Sequence, residues 1–149
     1  MTNILQKAAQ FVKQWEGCSL IAYEDVGGIW TIGYGTTTNV REGMHITLEE
    51  AVNYLENDLE YAYHSILRNT RVFLHENQMI ALLDFVYNVG TGAYQRSALK
   101  SNINRHDFEN AAKQFLKWNK VHGQVVPGLT HRRKAEAHLF ALTTPDNVI

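Results

Sequence analysis

The sequence predicts an α+β fold that is mainly α-helical and carries one small β-hairpin near the N-terminus. Along most of the chain, apolar residues recur every three or four positions, which is typical of amphipathic helices. Residues 20–35 break that pattern with two short β-prone runs around a Val-Gly-Gly turn. At 149 residues the chain suits one compact domain.

The first predicted helix ends beside an acidic residue. Apolar side chains between Ile4 and Trp15 share one helical face, and Gly17 is expected to stop the helix. Glu16 would then lie in the last turn, where the negative end of the helix dipole disfavours a carboxylate by under about 1 kcal/mol. Natural helices tolerate such a cost, but the position hints at a chemical role.

The predicted hairpin has strands at residues 20–25 and 29–35, joined by Val-Gly-Gly at 26–28. In the second strand bulky apolar residues alternate with Thr31 and two glycines. One face of this strand is therefore nearly bare, which would let a ligand approach the backbone closely.

A long helix is predicted to follow. Thr47 and Glu50 form a capping-box pattern, and a narrow apolar stripe continues to about Leu67. A narrow stripe on a helix of roughly 30 Å suits a spine that joins two lobes. A plain surface helix of a single bundle explains the periodicity nearly as well.

The rest of the chain predicts further helices. The helix over residues 76–89 is apolar on most sides and should be the buried centre of its lobe. The other predicted elements are a short helix over 93–103, a helix capped near Asp107, a loop over 121–128, a last helix from about Leu129 and a frayed tail over 143–149.

Composition excludes several function classes. The single cysteine, Cys18, rules out an intramolecular disulfide and is best explained as a packing residue. The seven histidines are scattered, with no HExxH motif and no Cys/His cluster, so no metal site and no cofactor are expected. No Walker A loop or nucleic-acid-binding motif is present.

Charge is divided unevenly along the chain. Residues 1–60 carry three basic and nine acidic side chains, giving −6, whereas residues 61–149 carry eleven basic and six acidic, giving +5. A basic second half would attract a polyanion such as cell wall, nucleic acid or an anionic membrane, although two solvated faces of opposite sign explain it equally well. The N-terminus shows neither a signal-peptide pattern nor a membrane anchor.

Two acidic residues near the hairpin could support glycoside hydrolysis. That reaction needs an acid to protonate the leaving oxygen and a second carboxylate to activate water or to attack directly. Glu16 and Asp25 flank one short connection, so both could reach a single cleft, and Thr31 could share a water with Asp25. Each residue alone has an ordinary structural explanation, as a helix-end Glu, a turn Asp and a strand Thr.

The spacing Glu16, eight residues, Asp25, five residues, Thr31, set in WEG and AYEDVGGIWTIGYG, resembles the catalytic signature of the phage-type lysozymes. These are the endolysin muramidases of glycoside hydrolase family 24. The resemblance continues through Thr47–Asn69, Asp84–Ser97 (DFVYNVGTGAYQRS) and Gly128–Phe140 (GLTHRRKAEAHLF).

The resemblance implies a lysozyme-like fold for residues 1–149 as a single domain. A small hairpin lobe would cover about residues 14–60. A larger helical lobe would cover about 61–149 and include the N-terminal helix, and the long helix would join the two lobes.

The resemblance also implies roles for individual residues. Glu16 would be the general acid, Asp25 the carboxylate that positions or activates water, and Thr31 the hydroxyl that helps to hold it. Arg132, or failing that Arg133, would pair with Glu16. Tyr87 and Asn88 would line the sugar-binding cleft, although core packing explains Tyr87 equally well.

The implied function is hydrolysis of the β-1,4 bond between N-acetylmuramic acid and N-acetylglucosamine in bacterial peptidoglycan, with inversion, leading to host cell lysis. A lytic transglycosylase and a catalytically silent wall-binding protein on the same scaffold are the alternatives. A monomer is expected, free of nucleic acid and of stable membrane insertion.

Two departures from relatives bear on these expectations. Some family members carry an N-terminal signal-arrest-release anchor, and without one this chain is expected to remain in the host cytoplasm until a separate holin opens the membrane. Thr36 stands where some relatives have a histidine, so a salt bridge built there in those relatives would be absent.

Overall fold

The computed structural model describes residues 2–142 and confirms a mainly helical α+β fold. The predicted tail over 143–149 lies outside the described residues. The elements in chain order are α1 (Thr2–Lys13), β1 (Ser19–Glu24), β2 (Trp30–Gly33), α2 (Leu48–Asn69), α3 (Glu76–Val89), α4 (Thr91–Gln95), α5 (Ala98–Asn104), α6 (Phe108–Phe115), β3 (Lys120–Val121), β4 (Gln124–Val125) and α7 (Pro127–Ala141).

The chain divides into two compact units between Tyr61 and Ala62, within α2. The first unit contains α1, the β1–β2 hairpin and the first part of α2. The second contains the remainder of α2 and every later element.

The β1–β2 hairpin has the predicted glycine turn. The strands are antiparallel, with Tyr23 opposite Thr31. Asp25 closes the turn at both of its backbone groups, because its N–H donates to Ile29 O at 2.9 Å and its carbonyl accepts from Gly28 N at 2.9 Å. Gly28 has φ +77°, the left-handed conformation that this kind of short hairpin loop requires and that glycine adopts without strain.

The second strand of the hairpin packs against α2. Ile32 is fully buried in a small core with Ile46 and Ala51. Gly33 has φ +66°, and a Cβ atom placed on it would lie 3.4 Å from the Cβ of Ala51. The expectation of a bare, ligand-accessible face is therefore wrong at Gly33, which is small because the helix approaches it closely.

The predicted capping box starts α2. Glu50 N–H donates to Thr47 Oγ1 at 3.1 Å, and Glu50 Oε1 accepts from Thr47 N–H at 3.0 Å. These two bonds satisfy backbone donors that the first turn of a helix leaves unpaired. The helix then runs for 22 residues, two residues beyond the predicted end at Leu67.

Thr36 links the loop after the hairpin to α2. Its side chain is 5% exposed, and its hydroxyl donates to Asp58 Oδ2 at 2.8 Å. Burial raises the pKa of Asp58, while the Thr36 hydrogen bond lowers it. A neutral hydroxyl thus stands opposite a partly buried carboxyl.

The second unit is built on α3. Its residues from Gln78 to Val86 are all buried, as the apolar sequence predicts, and its most extensive packing is against α7. Phe85 of α3 meets Phe115 of α6 at a ring-centroid distance of 5.4 Å, and Phe115 meets Phe140 of α7 at 5.4 Å. These aromatic contacts join three helices into one core.

Two predictions for the second unit are wrong in detail. The single helix over 93–103 is two helices, because Ser97 interrupts it and caps α5 by accepting from Lys100 N–H at 3.0 Å. The loop over 121–128 contains the β3–β4 hairpin, in which His122 (φ 50°) and Gly123 (φ 78°) form a two-residue turn with both residues left-handed. Asp107 caps α6 as predicted, and α7 begins at Pro127, two residues before Leu129.

Thr36→Val should destabilise the protein more at neutral pH than at pH 3. Because the pKa of Asp58 is raised, the folded protein holds this proton more tightly than the unfolded protein does. The stability that Asp58 contributes is therefore complete below its pKa in the unfolded state and is lost as pH rises through its pKa in the folded state. Removing the donor raises the pKa further, and we expect a cost of about 1 kcal/mol at pH 7. Denaturant unfolding at both pH values measures it, with Thr38→Val, an exposed threonine in the same loop, as control. An equal loss at both pH values would contradict the assignment.

Candidate active site

Glu16 lies just beyond α1. The helix ends at Lys13, so Glu16 does not occupy its last turn and Gly17 does not stop it, which corrects both expectations. The chain nevertheless stays against the helix, because Glu16 N–H donates to Val12 O at 3.1 Å. The side chain is half-buried.

A contact joins the loop after β2 to Lys13 of α1, three residues before Glu16 in the chain. Lys13 Nζ lies 5.7 Å from the ring centroid of Tyr34, within cation–π range. The C-terminal end of α1 and the hairpin therefore belong to the same compact unit, which contains Glu16, Asp25 and Thr31.

Asp25 is fixed by its own turn. Its Oδ1 atom accepts hydrogen bonds from the backbone N–H groups of Gly27 at 2.8 Å and Ile29 at 2.9 Å. This Asx-type geometry is the reason an aspartate suits the start of such a turn. Among the described residues, no hydrogen-bond donor reaches Oδ2, so the half-buried carboxyl keeps one oxygen for another partner.

Thr31 presents an acceptor. Its side chain is 5% exposed, and its hydroxyl donates to Ile29 O at 3.0 Å. A hydroxyl has one hydrogen and two lone pairs, so a group that has already donated offers acceptor capacity to its next partner.

The strand register brings Asp25 and Thr31 to one face. Thr31 lies opposite Tyr23, and Asp25 is hydrogen-bonded across the turn to Ile29. Asp25 and Thr31 are therefore diagonal neighbours on the same side of the ladder, which are typically about 7–8 Å apart between Cα atoms.

Arg132 forms a buried, two-pronged ion pair. Its Nε donates to Asp84 Oδ2 at 2.9 Å and its Nη2 to Asp84 Oδ1 at 2.8 Å. Arg132 is 4% exposed and Asp84 is fully buried. This fork-to-fork geometry fixes the plane of the guanidinium.

Arg133, the alternative partner for Glu16, is held inside the second unit. Its Nη2 donates to Glu136 Oε2 at 3.0 Å and to Asn88 Oδ1 at 2.8 Å, and its guanidinium carbon lies 5.1 Å from the Phe85 ring centroid. The side chain is fully buried. These contacts give Arg133 a structural role. The pairing of Glu16 with Arg132, or failing that with Arg133, stays a prediction.

Glu136 is a buried acid that the sequence analysis missed. It is fully buried between Arg133 and Asp84. The pKa of Glu136 is raised from 4.5 to about 11, mainly by burial and also by the adjacent Asp84, while the two arginines lower it. Its spacing of three residues from Arg133 on a helix was the available signal, but that spacing is equally common in exposed ion pairs.

Tyr87 and Asn88 lie at the C-terminal end of α3. Tyr87 is half-buried and Asn88 is exposed. A cavity of about 360 Å³ opens beside Asn88; its other lining residues are Val89, Lys117, Trp118, Lys120, Val121 and Leu129. The cleft-lining roles of Tyr87 and Asn88 stay predictions.

Residues 2–142 contain neither a metal-binding cluster nor a membrane-spanning helix. No group of three or more His, Cys, Asp or Glu side chains in this part of the chain is arranged to hold a metal ion. None of its helices is both long and apolar enough to cross a membrane.

The sequence profile of the phage lysozyme family matches residues 13–136. That range holds every predicted active-site residue. The chain belongs to the phage lysozyme family. The expectations of a lysozyme-type fold and of a lysozyme-type glycoside hydrolase are confirmed at that level.

Individual relatives of this phage lysozyme align along nearly their whole length. An endolysin of Acyrthosiphon pisum secondary endosymbiont phage 1 is 37% identical over 93% of this chain and 97% of its own. The muramidase domain of SpmX from Asticaccaulis excentricus superimposes with a TM-score of 0.86 at 30% identity, covering 93% and 97% of the two chains. An endolysin from Escherichia coli O157:H7 phage FAHEc1 gives a TM-score of 0.82 at 35% identity, covering 91% of each chain.

Asp25→Asn and Asp25→Ala should show how much the hydrogen bonds to Oδ1 contribute to stability. Asparagine keeps an Oδ1 acceptor for Gly27 and Ile29, so the free energy of unfolding of this variant should match that of the parent within about 0.5 kcal/mol. Alanine removes the acceptor and should cost about 1 kcal/mol. Thermal unfolding of the two variants measures this difference, and equal destabilisation would show that the turn bonds carry no stability.

Proposed function

We propose that this protein is an endolysin muramidase that hydrolyses the β-1,4 bond between N-acetylmuramic acid and N-acetylglucosamine in bacterial peptidoglycan. The observation that carries this proposal is the shared face of Asp25 and Thr31 in the β1–β2 hairpin, in a family member that also has Glu16 at the signature spacing. One carboxyl to supply a proton and one to activate water is the minimum that this hydrolysis requires.

The proposed reaction assigns one task to each residue. Glu16 gives its proton to the glycosidic oxygen as the bond from that oxygen to the anomeric carbon breaks. Asp25 accepts a proton from the water as the water oxygen bonds to the anomeric carbon. Thr31 accepts the second hydrogen of that water and so aims its lone pair at the sugar.

Inversion of configuration follows from this arrangement. A water held by Asp25 attacks the face of the sugar opposite to the leaving group, and no covalent glycosyl-enzyme forms. The hydrogen-bonding state of Asp25 supports the role of base, because backbone N–H groups engage Oδ1 and leave Oδ2 to receive the proton.

Arg132 is the proposed orienting partner of Glu16. Asp84 engages its Nε and Nη2 atoms, and Nη1 is the part of the guanidinium that Asp84 does not occupy. A guanidinium held in a fixed plane can orient a carboxyl before proton transfer at little entropic cost. Tyr87 and Asn88 would contact the sugars.

The biological setting is proposed with the chemistry. The enzyme acts as a monomer on peptidoglycan, with no nucleic-acid partner, no stable membrane insertion and no cofactor. It stays in the host cytoplasm until a separate holin releases it to the wall. The excess of basic residues after position 60 would then favour its retention on the anionic wall.

Glu16→Gln should abolish turbidity clearing of permeabilised cells. Glutamine has the same shape but no proton to give to the leaving oxygen, and we expect a loss of at least about 10²-fold in rate. Circular dichroism should show an unchanged fold. Asp25→Asn should lose activity as well while keeping its turn, so a fully active Asp25→Asn would contradict the role of base.

Lytic activity should fall as salt is added. Raising ionic strength from 0.1 to 1 M shortens the screening length from about 10 to about 3 Å, which weakens attraction between the basic half and the wall. Hydrolysis of a short uncharged chitin oligosaccharide under the same conditions is the control, since it should change little. Salt-independent lysis of whole walls would refute the electrostatic contribution.

A further inference from the structure

The cavity beside Asn88 lies within the second unit and combines positive charge with apolar surface. Its charged lining residues are Lys117 and Lys120, and no acidic side chain from residues 2–142 lines it. Its volume of about 360 Å³ falls in the range of about 300–1,000 Å³ that is typical of ligand sites. We propose that this cavity binds the carboxylate-bearing peptide stem of peptidoglycan, the peptide that is attached to N-acetylmuramic acid.

The two lysines at the cavity are cations without a partner in the described part of the chain. Lys117 and Lys120 are both exposed, and neither side chain forms an ion pair or a hydrogen bond with another residue from 2 to 142. Lys113, four residues before Lys117, instead pairs with Glu109 at 3.9 Å. A concave surface that carries charge of one sign raises the local concentration of oppositely charged ligands, so this cavity favours an anion.

Asn88 adds a neutral donor whose orientation is fixed from the interior. The fully buried Arg133 has its Nε atom 2.8 Å and its Nη2 atom 3.0 Å from the two oxygens of Glu136. The same Nη2 donates to Asn88 Oδ1 at 2.8 Å. Because a guanidinium only donates, the oxygen of the Asn88 amide must face Arg133. Both hydrogens of Asn88 Nδ2 are then left for another partner.

Trp118 gives the cavity an apolar wall and one further donor. Its ring meets the fully buried ring of Phe85 at a centroid distance of 5.5 Å and an interplanar angle of 90°, so the indole rests on the core. Its Nε1–H donates to no acceptor among the described residues. The polar side-chain atoms left without a partner at this cavity are therefore all donors, and they belong to Asn88, Lys117, Trp118 and Lys120.

The β3–β4 hairpin brings Lys120 and Val121 to the cavity and is tied down at its base. Val126 N–H donates to Asn119 O at 2.9 Å, which extends the hairpin ladder. Asn119 Nδ2 donates to Thr130 Oγ1 at 3.0 Å, which connects the hairpin to α7. A wall held in this way needs little ordering when a ligand binds, and that lowers the entropic cost of binding.

These features match the peptide stem better than the glycan. Sugar hydroxyls donate as well as accept, and the glycan carries no charge at a muramic acid whose carboxyl is joined to a stem. The stem has free carboxylates for the donors and alanine methyl groups for the apolar wall of Val89, Val121 and Leu129. It leaves the glycan at N-acetylmuramic acid, beside the sugar that Asn88 is proposed to contact. The assignment rests on the proposed function.

Lys117→Gln/Lys120→Gln should weaken binding of substrates that carry stems. On soluble, uncross-linked peptidoglycan strands we expect KM to rise about 5- to 30-fold, an effect that falls on KM rather than on kcat, because both charges contact a part of the substrate that does not react. On the same strands after an amidase has removed the stems, the difference from the parent should disappear.

The matched control is Lys113→Gln/Lys134→Gln. It removes the same net charge from two exposed lysines that do not line the cavity. Its KM on both substrates should stay within about twofold of the parent, since general attraction to an anionic polymer depends on total charge rather than on these positions.

Binding can also be measured without catalysis. The stem peptide, acetylated at its N-terminus, is titrated into ¹⁵N-labelled Glu16→Gln protein. We expect it to shift the indole N–H signal of Trp118, assigned with Trp118→Phe, and the side-chain amide signal of Asn88. Adding Lys117→Gln/Lys120→Gln to the same protein should raise the Kd of the peptide by the same 5- to 30-fold.

Each result decides the assignment of the cavity. If the lysine variant loses as much on stem-free strands, or if the control loses as much as the lysine variant, the cavity does not read the stem and the proposal is wrong. It is also wrong if the Trp118 and Asn88 signals ignore the peptide, or move equally with a neutral chitin oligosaccharide or with acetate at the same concentration. If the peptide binds as expected but Glu16→Gln remains lytic, the proposed function fails and the peptide site stands.

Discussion

Burial of charge between α3 and α7 is the constraint on which the second unit depends. Asp84, Arg132, Arg133 and Glu136 are all removed from water, and each is paired with a group of opposite charge, since a buried charge without a partner is costly. Apolar attraction has no required direction, whereas the two-pronged ion pair at 2.8 and 2.9 Å has a specific geometry and so helps to fix the relative position of α3 and α7. The ring contacts of Phe85, Phe115 and Phe140 hold the helices together, and the ion pairs determine how α3 and α7 align.

The first unit positions its groups by a different means. Asp25 and Thr31 are fixed by backbone hydrogen bonds of the hairpin, which involve single turns and adjacent strands. Thr36 and Asp58 extend this local network to α2 with one neutral donor and one acid. The turn supplies its own N–H donors to Asp25, so this carboxyl needs no guanidinium to hold it.

This contrast explains how much could be predicted from the sequence. The helix over residues 76–89, the capping box at Thr47 and the hairpin turn are determined by residues close in sequence, and all three were predicted correctly. The break at Ser97 depends on one hydroxyl that could equally have pointed to solvent. The sequence predicts too late an end for α1 because Gly17 is the nearest stop signal, whereas the helix ends at Lys13.

The candidate site divides in the same way. Asp25 and Thr31 could be selected from sequence because a turn aspartate and a strand threonine have positions that local rules define. Asp84 could not be selected, since its partner Arg132 is 48 residues away and an aspartate in an apolar helix gives no indication of what it faces. Glu136 was hidden for a related reason: on the surface, an Arg-x-x-Glu pair contributes little.

The two oxygens of Asp25 show why a short motif can mark both a fold and a reaction. Oδ1 is occupied by the turn, and without it the backbone N–H groups of Gly27 and Ile29 would lose their acceptor. The turn therefore selects aspartate for a structural reason, and the strand register places this residue on the face that Thr31 shares. A substitution that preserved the chemistry but not the turn, such as glutamate with its longer side chain, would shift both oxygens. Two separate requirements therefore favour aspartate at this position. The turn needs the Oδ1 acceptor, and the proposed reaction needs a carboxylate to activate water.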